Sequence, residues 1–336
     1  MASNSSVFDS SAVSGTPATG RSFGDSLGSH PKILWVVSAG GHLAQAHRIE
    51  GLIGRNPDSL WVTSDVPQSQ SLLAGRRTHF VDYVASRDLV GAIRASSQTS
   101  RLAASEKFDF CVSTGAALAV AALPRVALQG VPSVYIESIA RSTGPSLTGK
   151  LMRYAPRVRT MTQHESWANR TWEYAGSILD DVMPTKREVA QRGRRKVFVT
   201  LGTIRPYRFD RAVDAVLACL KPDDDVSWQL GITTRDDLPG EVFSEISGAE
   251  MKDRFAKADL VIAHAGVGSI LMSLEAGKAP VLAVRQGAHR EHVDDHQQGI
   301  AELMASRGLA FPLDLDNPEA NIFDVAASTK VVSTDA

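Results

Sequence analysis

Three short stretches of this 336-residue chain carry side chains able to do chemistry. In WVVSAGGHLAQA, an apolar run from Trp35 ends in Gly40 and Gly41, and His42 follows directly. Glycine lets a backbone turn tightly and approach a ligand with no Cβ in the way. A neutral imidazole beside such a turn can accept a proton near neutral pH. In HAGVGS, His264, Gly266, Gly268 and Ser269 crowd a turn before the helix-like ILMSLEAG. Amides of Gly266, Gly268 and Ser269 would there offer donors to an anion, as helix N-termini do. In EHVDDHQ, His292 and His296 stand four apart with Asp295 beside the second, a spacing that suits a metal on one helix face if His289 joins from the preceding loop. Each stretch also has a plainer reading: a histidine capping its own helix, a tight turn and nothing more, or an acidic helix start exposed to solvent.

Two further turns are rich in small residues, STGAAL at Ser113–Leu118 and TLGT, which contains Gly202 and Thr203. The chain carries neither the G-x-G-x-x-G dinucleotide fingerprint nor a G-x-x-x-x-G-K-[ST] phosphate loop, which argues against NAD-dependent and ATP-hydrolysing chemistry. Asp294–Asp295 and Asp223–Asp225 make no convincing metal pair, and the latter follow Pro222 as an exposed loop would. No metal and no cofactor is expected.

Elements that position these turns follow from periodicity. ILWVV, SLWVT, THFVDYV, FDFCVS and PSVYIES read as strands separated by helical segments, and KVFVTLG, VSWQL, ADLVIAHAG, APVLAV and GLAF form a second such series. Alternating strands and helices imply a mostly parallel sheet covered on both faces, so the expectation is an α/β chain of two Rossmann-like domains facing a cleft. Ligands of such sheets sit beyond the carboxyl ends of the strands, where all the glycine turns fall. The boundaries expected are a disordered arm over 1–30, a first domain over 31–182, a basic linker over 183–195, a second domain over 196–325 and a peripheral tail over 326–336.

A net charge of −1 gives no general attraction to nucleic acid, and 43% hydrophobic residues suffice for two ordinary cores. Cys111 and Cys219 lie in apolar runs and read as buried thiols, in keeping with a reducing cytoplasm. No run approaches the ~18 apolar residues of a membrane span. The stretch from Arg141 to Arg159 interleaves Lys150, Arg153 and Arg157 with Leu147, Leu151, Met152 and Tyr154. It suits either an anionic lipid surface or a surface helix whose apolar stripe packs inward.

Taken together, the ordered motifs resemble the nucleotide-sugar glycosyltransferases of family 28 with the GT-B fold. The likeness is strongest to the two-subunit transferase that adds the second GlcNAc to diphosphodolichol and to bacterial exopolysaccharide transferases of the PssD–PssE type, here fused in one chain. SAGGHLAQA resembles the glycine loop of the membrane subunit, YVASRDLVG its basic segment with Arg87 at the matching arginine, and IESIARSTGPSLTGKLM its E-S-x-A-R…S-L-T-G-K signature. VTLGTIRPYRFDR, HAGVGSILMSLEAGKAPVLAV and EHVDDHQQGIAELMASRGLA resemble successive segments of the catalytic subunit. The likeness covers roughly residues 32 to 311. One departure concerns the glutamate that relatives using UDP-sugars often place on the nucleotide ribose; Met272 stands at that position, with Glu275 three residues on.

The resemblance implies an inverting hexosyltransferase that moves GlcNAc or glucuronic acid from UDP to a polyprenyl-diphosphate-linked saccharide for surface polysaccharide, on the cytoplasmic face of the membrane. It implies His42 as base, with Gly40, Gly41, Arg87, Glu137, Arg141 and Lys150 on the acceptor and diphosphate side. Gly202, Thr203, His264, Gly266, Gly268 and Ser269 would hold the donor nucleotide, and Asp295, His296 and Gln297 would contact sugar hydroxyls. Three other readings stay open: a UDP-sugar 2-epimerase, a non-catalytic nucleotide-sugar-binding partner, and a transferase acting on a secondary-metabolite acceptor.

Overall fold

A computed structural model describes residues 22–83, 89–186, 194–292 and 296–334. The first sheet contains β1 (Ile33–Val36), β2 (Leu60–Ser64), β3 (Arg77–Val81), β4 (Phe110–Ser113), β5 (Ser133–Ile136), β6 (Val158–Thr162) and β7 (Trp172–Tyr174). All its pairings are parallel and its order is β3-β2-β1-β4-β5-β6-β7. β1, β2 and β5 are buried along their whole length, as strands covered on both faces must be. One face carries α1 (Phe23–Leu27), α2 (Gly41–Ile53) and α3 (Pro67–Leu72); the other carries α4 (Leu89–Ser105), α5 (Ala116–Leu128) and α6 (Leu147–Met152).

After β8 (Val182–Lys186) comes a second parallel sheet of β9 (Lys196–Thr200), β10 (Asp225–Gln229), β11 (Glu241–Phe243), β12 (Leu260–His264), β13 (Val281–Ala283) and β14 (Phe311–Pro312), in the order β11-β10-β9-β12-β13-β14. Its helices are α7 (Asp210–Cys219), α8 (Gly248–Lys257), α9 (Val267–Glu275), α10 (His296–Ser306) and α11 (Asn321–Ala327). In each sheet the strand order reverses direction beside the first strand, between β1 and β4 and between β9 and β12. A crevice opens at such a switch point because the following helices leave on opposite faces. The turns after those four strands are SAGGH, STGAA, TLGT and HAGVGS.

The halves are packed together rather than merely tethered. α2 lies on α9 and α3 on α8. A single apolar core runs from Trp35, Ile49 and Trp61 of the first half to Phe255, Ile270 and Leu274 of the second. Small residues permit this approach: a Cβ added to Gly41 would lie 3.2 Å from Val267 Cβ, and one added to Gly248 would lie 2.6 Å from Ser71 Oγ.

Both ends of the chain differ from expectation. Residues 22–30, expected within a disordered arm, are folded: Phe23 and Leu27 are buried on α2, and Ser22 with Asp25 closes a capping box on α1. The rest of the expected arm lies outside the described residues. The tail is not peripheral: β15 (Thr329–Ser333) pairs antiparallel with β8, at the start of the expected linker, and buries Val331. Of that linker, residues 187–193 lie outside the described residues, and Arg195 at its end is paired with Asp224 at 2.7 Å. β6, β7 and β11 were not anticipated; β7 and β11 are three-residue edge strands with too little apolar pattern to stand out.

Candidate active site

At the first switch point, His42 stands in the opening turn of α2. Its Nδ1 lies 2.7 Å from the Thr114 carbonyl, and Thr114 Oγ1 donates back to the His42 carbonyl at 2.9 Å. A carbonyl only accepts, so in the neutral ring Nδ1 carries the proton and Nε2 holds the lone pair that a base needs. His42 is therefore not capping its own helix; the N-cap is Gly40, which makes no side-chain cap bond. The ring lies directly on the second glycine turn. Gly115 has φ +133°, and a Cβ there would fall 2.6 Å from His42 Cε1. Glycine at that position is thus a condition for the histidine's placement.

Gly40 directs its N–H to Gln68 Oε1 at 2.8 Å, so that donor is engaged within the first half. Glu137 is 1% exposed and faces inward. Its Oε1 accepts from Tyr135 OH and Ser138 N, its Oε2 from Ser146 N and Oγ. Burial raises its pKa, and those hydrogen bonds oppose the rise. Glu137 thereby ties β5 to the N-cap of α6, and a Cβ on Gly149 would strike its carboxylate, which accounts for the glycine in S-L-T-G-K. Gln45, which sequence reasoning missed, joins this loop to α2: its Oε1 accepts from Ile139 N at 2.8 Å and its Nε2 donates to Ser138 Oγ at 3.0 Å. The loop reaches the second half, since a Cβ on Gly299 of α10 would lie 2.8 Å from Ser142 Oγ. Arg141 is partly exposed on that loop and Lys150 exposed on α6, whereas Arg87 lies outside the described residues.

At the second switch point, the His264 ring is wedged between two turns. A Cβ on Gly202, whose φ is +73°, would sit 2.7 Å from its Cε1, and one on Gly266 would sit 2.2 Å from its Nε2. Ser269 Oγ is 3.4 Å from Nδ1. Burial, with the Arg285 and His292 charges behind it, pushes the His264 pKa down to about 3. The imidazole is a neutral spacer that shapes the turns, not a cation for phosphate. The Gly266 N–H donates to the His264 carbonyl at 2.7 Å, so it is not one of the anion donors. Ile270 is the first residue to bond back to Gly266, which leaves the N–H groups of Val267, Gly268 and Ser269 directed out of the helix end. Gly268 N lies only 3.7 Å from a Cβ built on Gly41. The N-termini of α2 and α9 therefore meet across the seam. Thr203 is exposed at the rim.

Arg285, also missed in the sequence, holds the second half's turns. It is 1% exposed and donates to the carbonyls of Leu201, Tyr207, Arg208 and Glu291 at 2.8–3.4 Å, with its plane 4.4 Å from the Phe209 ring centre. Burial lowers its pKa to about 10. Gln297, expected on a sugar, is 4% exposed and accepts from Arg285 N at 3.2 Å; it supports the arginine instead. His292 stands outside α10, with its ring 6.3 Å from that of Tyr207. Asp295 and the side chain of His296 lie outside the described residues, and among the described residues no cluster of three metal-ligating side chains occurs. Met272 packs on the shared core, and Glu275 has Arg48 and Lys252 as charged neighbours, so neither reaches the α9 N-terminus.

Residues 197–311 match the glycosyltransferase family 28 C-terminal domain. Among solved structures, the chain is similar to Acinetobacter baumannii MurG (16% identity, TM-score 0.53, covering 89% of this chain and 93% of that one). It is also similar to the glycosyltransferase SnogD from Streptomyces nogalater (17%, 0.55, 88% and 91%). The spinosyn rhamnosyltransferase SpnG, solved with thymidine diphosphate, is a third (14%, 0.55, 88% and 94%). The fold is GT-B. The family 28 match falls in the second half, where the sequence resemblance placed the donor-binding segments. A search of curated proteins found no match.

Proposed function

We propose that this protein is an inverting glycosyltransferase that moves GlcNAc or glucuronic acid from UDP to a polyprenyl-diphosphate-linked saccharide, in surface polysaccharide assembly. The observation that carries the reading is the meeting of the α2 and α9 N-termini, with His42 beside them in the tautomer of a base. The donor diphosphate would lie on the outward amides of Val267, Gly268 and Ser269. His42 Nε2 would take the proton from the acceptor hydroxyl as its oxygen attacks the anomeric carbon from the face opposite the diphosphate. The departing charge is met by fixed amides, so the reaction calls for no metal.

A lipid-linked acceptor is supported by the first half's outer layer. Leu147, Leu151 and Tyr154 are 74%, 50% and 73% exposed, on the same stretch as Lys150 and Arg153. Of the apolar residues in that stretch, Met152 packs inward while these three face outward. Tyr83 follows β3 and Ile93 lies in the opening turns of α4, so both exposed side chains stand towards the carboxyl end of the same sheet, where the site opens. Exposed apolar side chains beside cations suit an anionic lipid surface. Among the described residues no helix is long and apolar enough to cross a membrane. The contact we propose is peripheral, on the cytoplasmic face.

The test is release of UDP from a panel of UDP-sugars, with and without a short polyprenyl-diphosphate saccharide. Acceptor-dependent release supports the proposal. Acceptor-independent epimer formation would make the protein an epimerase, binding without turnover a non-catalytic partner, and transfer only to polycyclic or macrolide aglycones a secondary-metabolite enzyme. His42→Ala should retain donor affinity by calorimetry and lose about 10²–10⁴ in kcat, the usual contribution of a general base.

A further inference from the structure

Gln68, in the first turn of α3, is the side chain that touches the first half's glycine turn and also approaches the second half's. Its Oε1 accepts from Gly40 N at 2.8 Å, while its Nε2 lies 3.5 Å from the Gly40 carbonyl and 3.9 Å from a Cβ built on Gly268. The orientation of the amide is fixed by chemistry: the Gly40 N–H requires an acceptor, so the oxygen faces Gly40 and the NH₂ group is turned toward the seam. The bond to the Gly40 carbonyl is long, and an NH₂ group has two hydrogens, so donor capacity remains on the side of Gly268. Gln68 is half-buried, which leaves that group within reach of a ligand lodged at the α9 N-terminus.

We infer that Gln68 is the first half's hydrogen-bond donor to the nucleotide diphosphate, its Nε2–H joining the amides of α9 from across the seam. This rests on the reading of the site as a nucleotide-sugar site. It gives the closed arrangement of the halves a chemical purpose. The Gly40 N–H, which a glycine turn would ordinarily present to phosphate, is engaged by Oε1, and the same side chain supplies a replacement donor further out. The α9 amides hold the diphosphate from one side only, and Gln68 makes binding depend on both halves.

Gln68→Glu separates this role from a structural one. The carboxylate has the same shape and still accepts from Gly40 N–H, but it sets a negative charge where a donor stood. Titration calorimetry of the full chain with UDP, TDP and UMP reads the result. Gln68→Glu should weaken UDP by about tenfold or more, as expected for loss of a charge-assisted hydrogen bond plus repulsion, and weaken UMP less. Gln68→Met, which removes the donor without adding charge but also takes the acceptor from Gly40 N–H, should give a smaller loss of the same pattern, with a lowered melting temperature that Gln68→Glu does not show. A UDP affinity within twofold of wild type in both variants, or equal losses for UDP and UMP, overturns the inference and leaves the site reading intact. Failure of the wild-type chain to bind either nucleoside diphosphate overturns both.

Discussion

Individual residues in this site are placed by what their neighbours lack. His42 reaches the Thr114 carbonyl because position 115 has no side chain, and Gly115→Ala tests this directly. The substitution puts a methyl group into the imidazole and asks alanine to adopt φ +133°. It should lower kcat at least as far as His42→Ala does and cost about 1–3 kcal/mol of stability, read from steady-state rates and urea titration. His264 yields a prediction with a definite sign. The unfolded chain protonates it below about pH 6.5, the folded chain only near 3, so the unfolded state binds more protons throughout that window. Its contribution is complete above pH 6.5 and is lost as pH falls, by at most about 1.4 kcal/mol per unit. His47, held down to about 4 by burial and by Arg76, Arg55 and Lys252, acts in the same direction over a narrower pH range. Urea unfolding at pH 7 and pH 5 should therefore show a smaller loss for His264→Asn than for wild type; equal slopes would contradict the assignment.

At the level of elements, the short helix α6 carries the acceptor reading. Its inner side is fixed by Met152, Gly149 and the Ser146 cap on Glu137, which leaves Leu147, Leu151 and Tyr154 directed to solvent. Replacing those three with serine removes apolar contact but no core packing. Sedimentation with vesicles containing anionic lipid should then show about a tenfold loss of binding, with melting temperature and UDP affinity unchanged. Retention of full vesicle binding would move the membrane contact elsewhere. The glycine turns are elements of a different kind: each caps a strand at a switch point, and each matters through the side chain it admits beside it.

For the whole molecule, the question is what holds two sheets in one relation. A node at residues 178–181 answers it. Arg48 of α2 donates to both Asp181 oxygens at 2.6 and 2.8 Å and to the Ile178 carbonyl. Thr334 N and Arg307 of the second half bond to the Asp181 and Leu179 carbonyls. Arg48 and Asp181 are 15% and 12% exposed, so losing one partner strands the other in a poorly hydrated place. Arg48→Met should destabilise the protein by about 3 kcal/mol and raise the donor KM, since the α2–α9 seam depends on the same helix. A change under 0.5 kcal/mol by urea titration would show that Arg48 does not brace the node.

Much of this was legible in the sequence, because it is written in local pattern. Apolar runs alternating with helical ones dictated two parallel sheets, and glycine after an apolar run marked the turns at which a ligand would rest. Motif order carried the likeness to family 28. Pairings between residues far apart in the chain were not legible. Nothing near Glu137 announces that its carboxylate faces inward, nothing near Gln297 that it serves Arg285; Gln45 lies inside the SAGGHLAQA stretch with nothing local to mark its role, and neither Gln68 nor Arg285 belongs to a recognisable motif. Sequence by itself determined which segments become strands, helices and turns, because those depend on side-chain period and backbone freedom within a few residues. Only the tertiary structure decided which polar groups are spent on the protein and which remain for a ligand, because that depends on which atoms the packing of the two halves brings within hydrogen-bond reach.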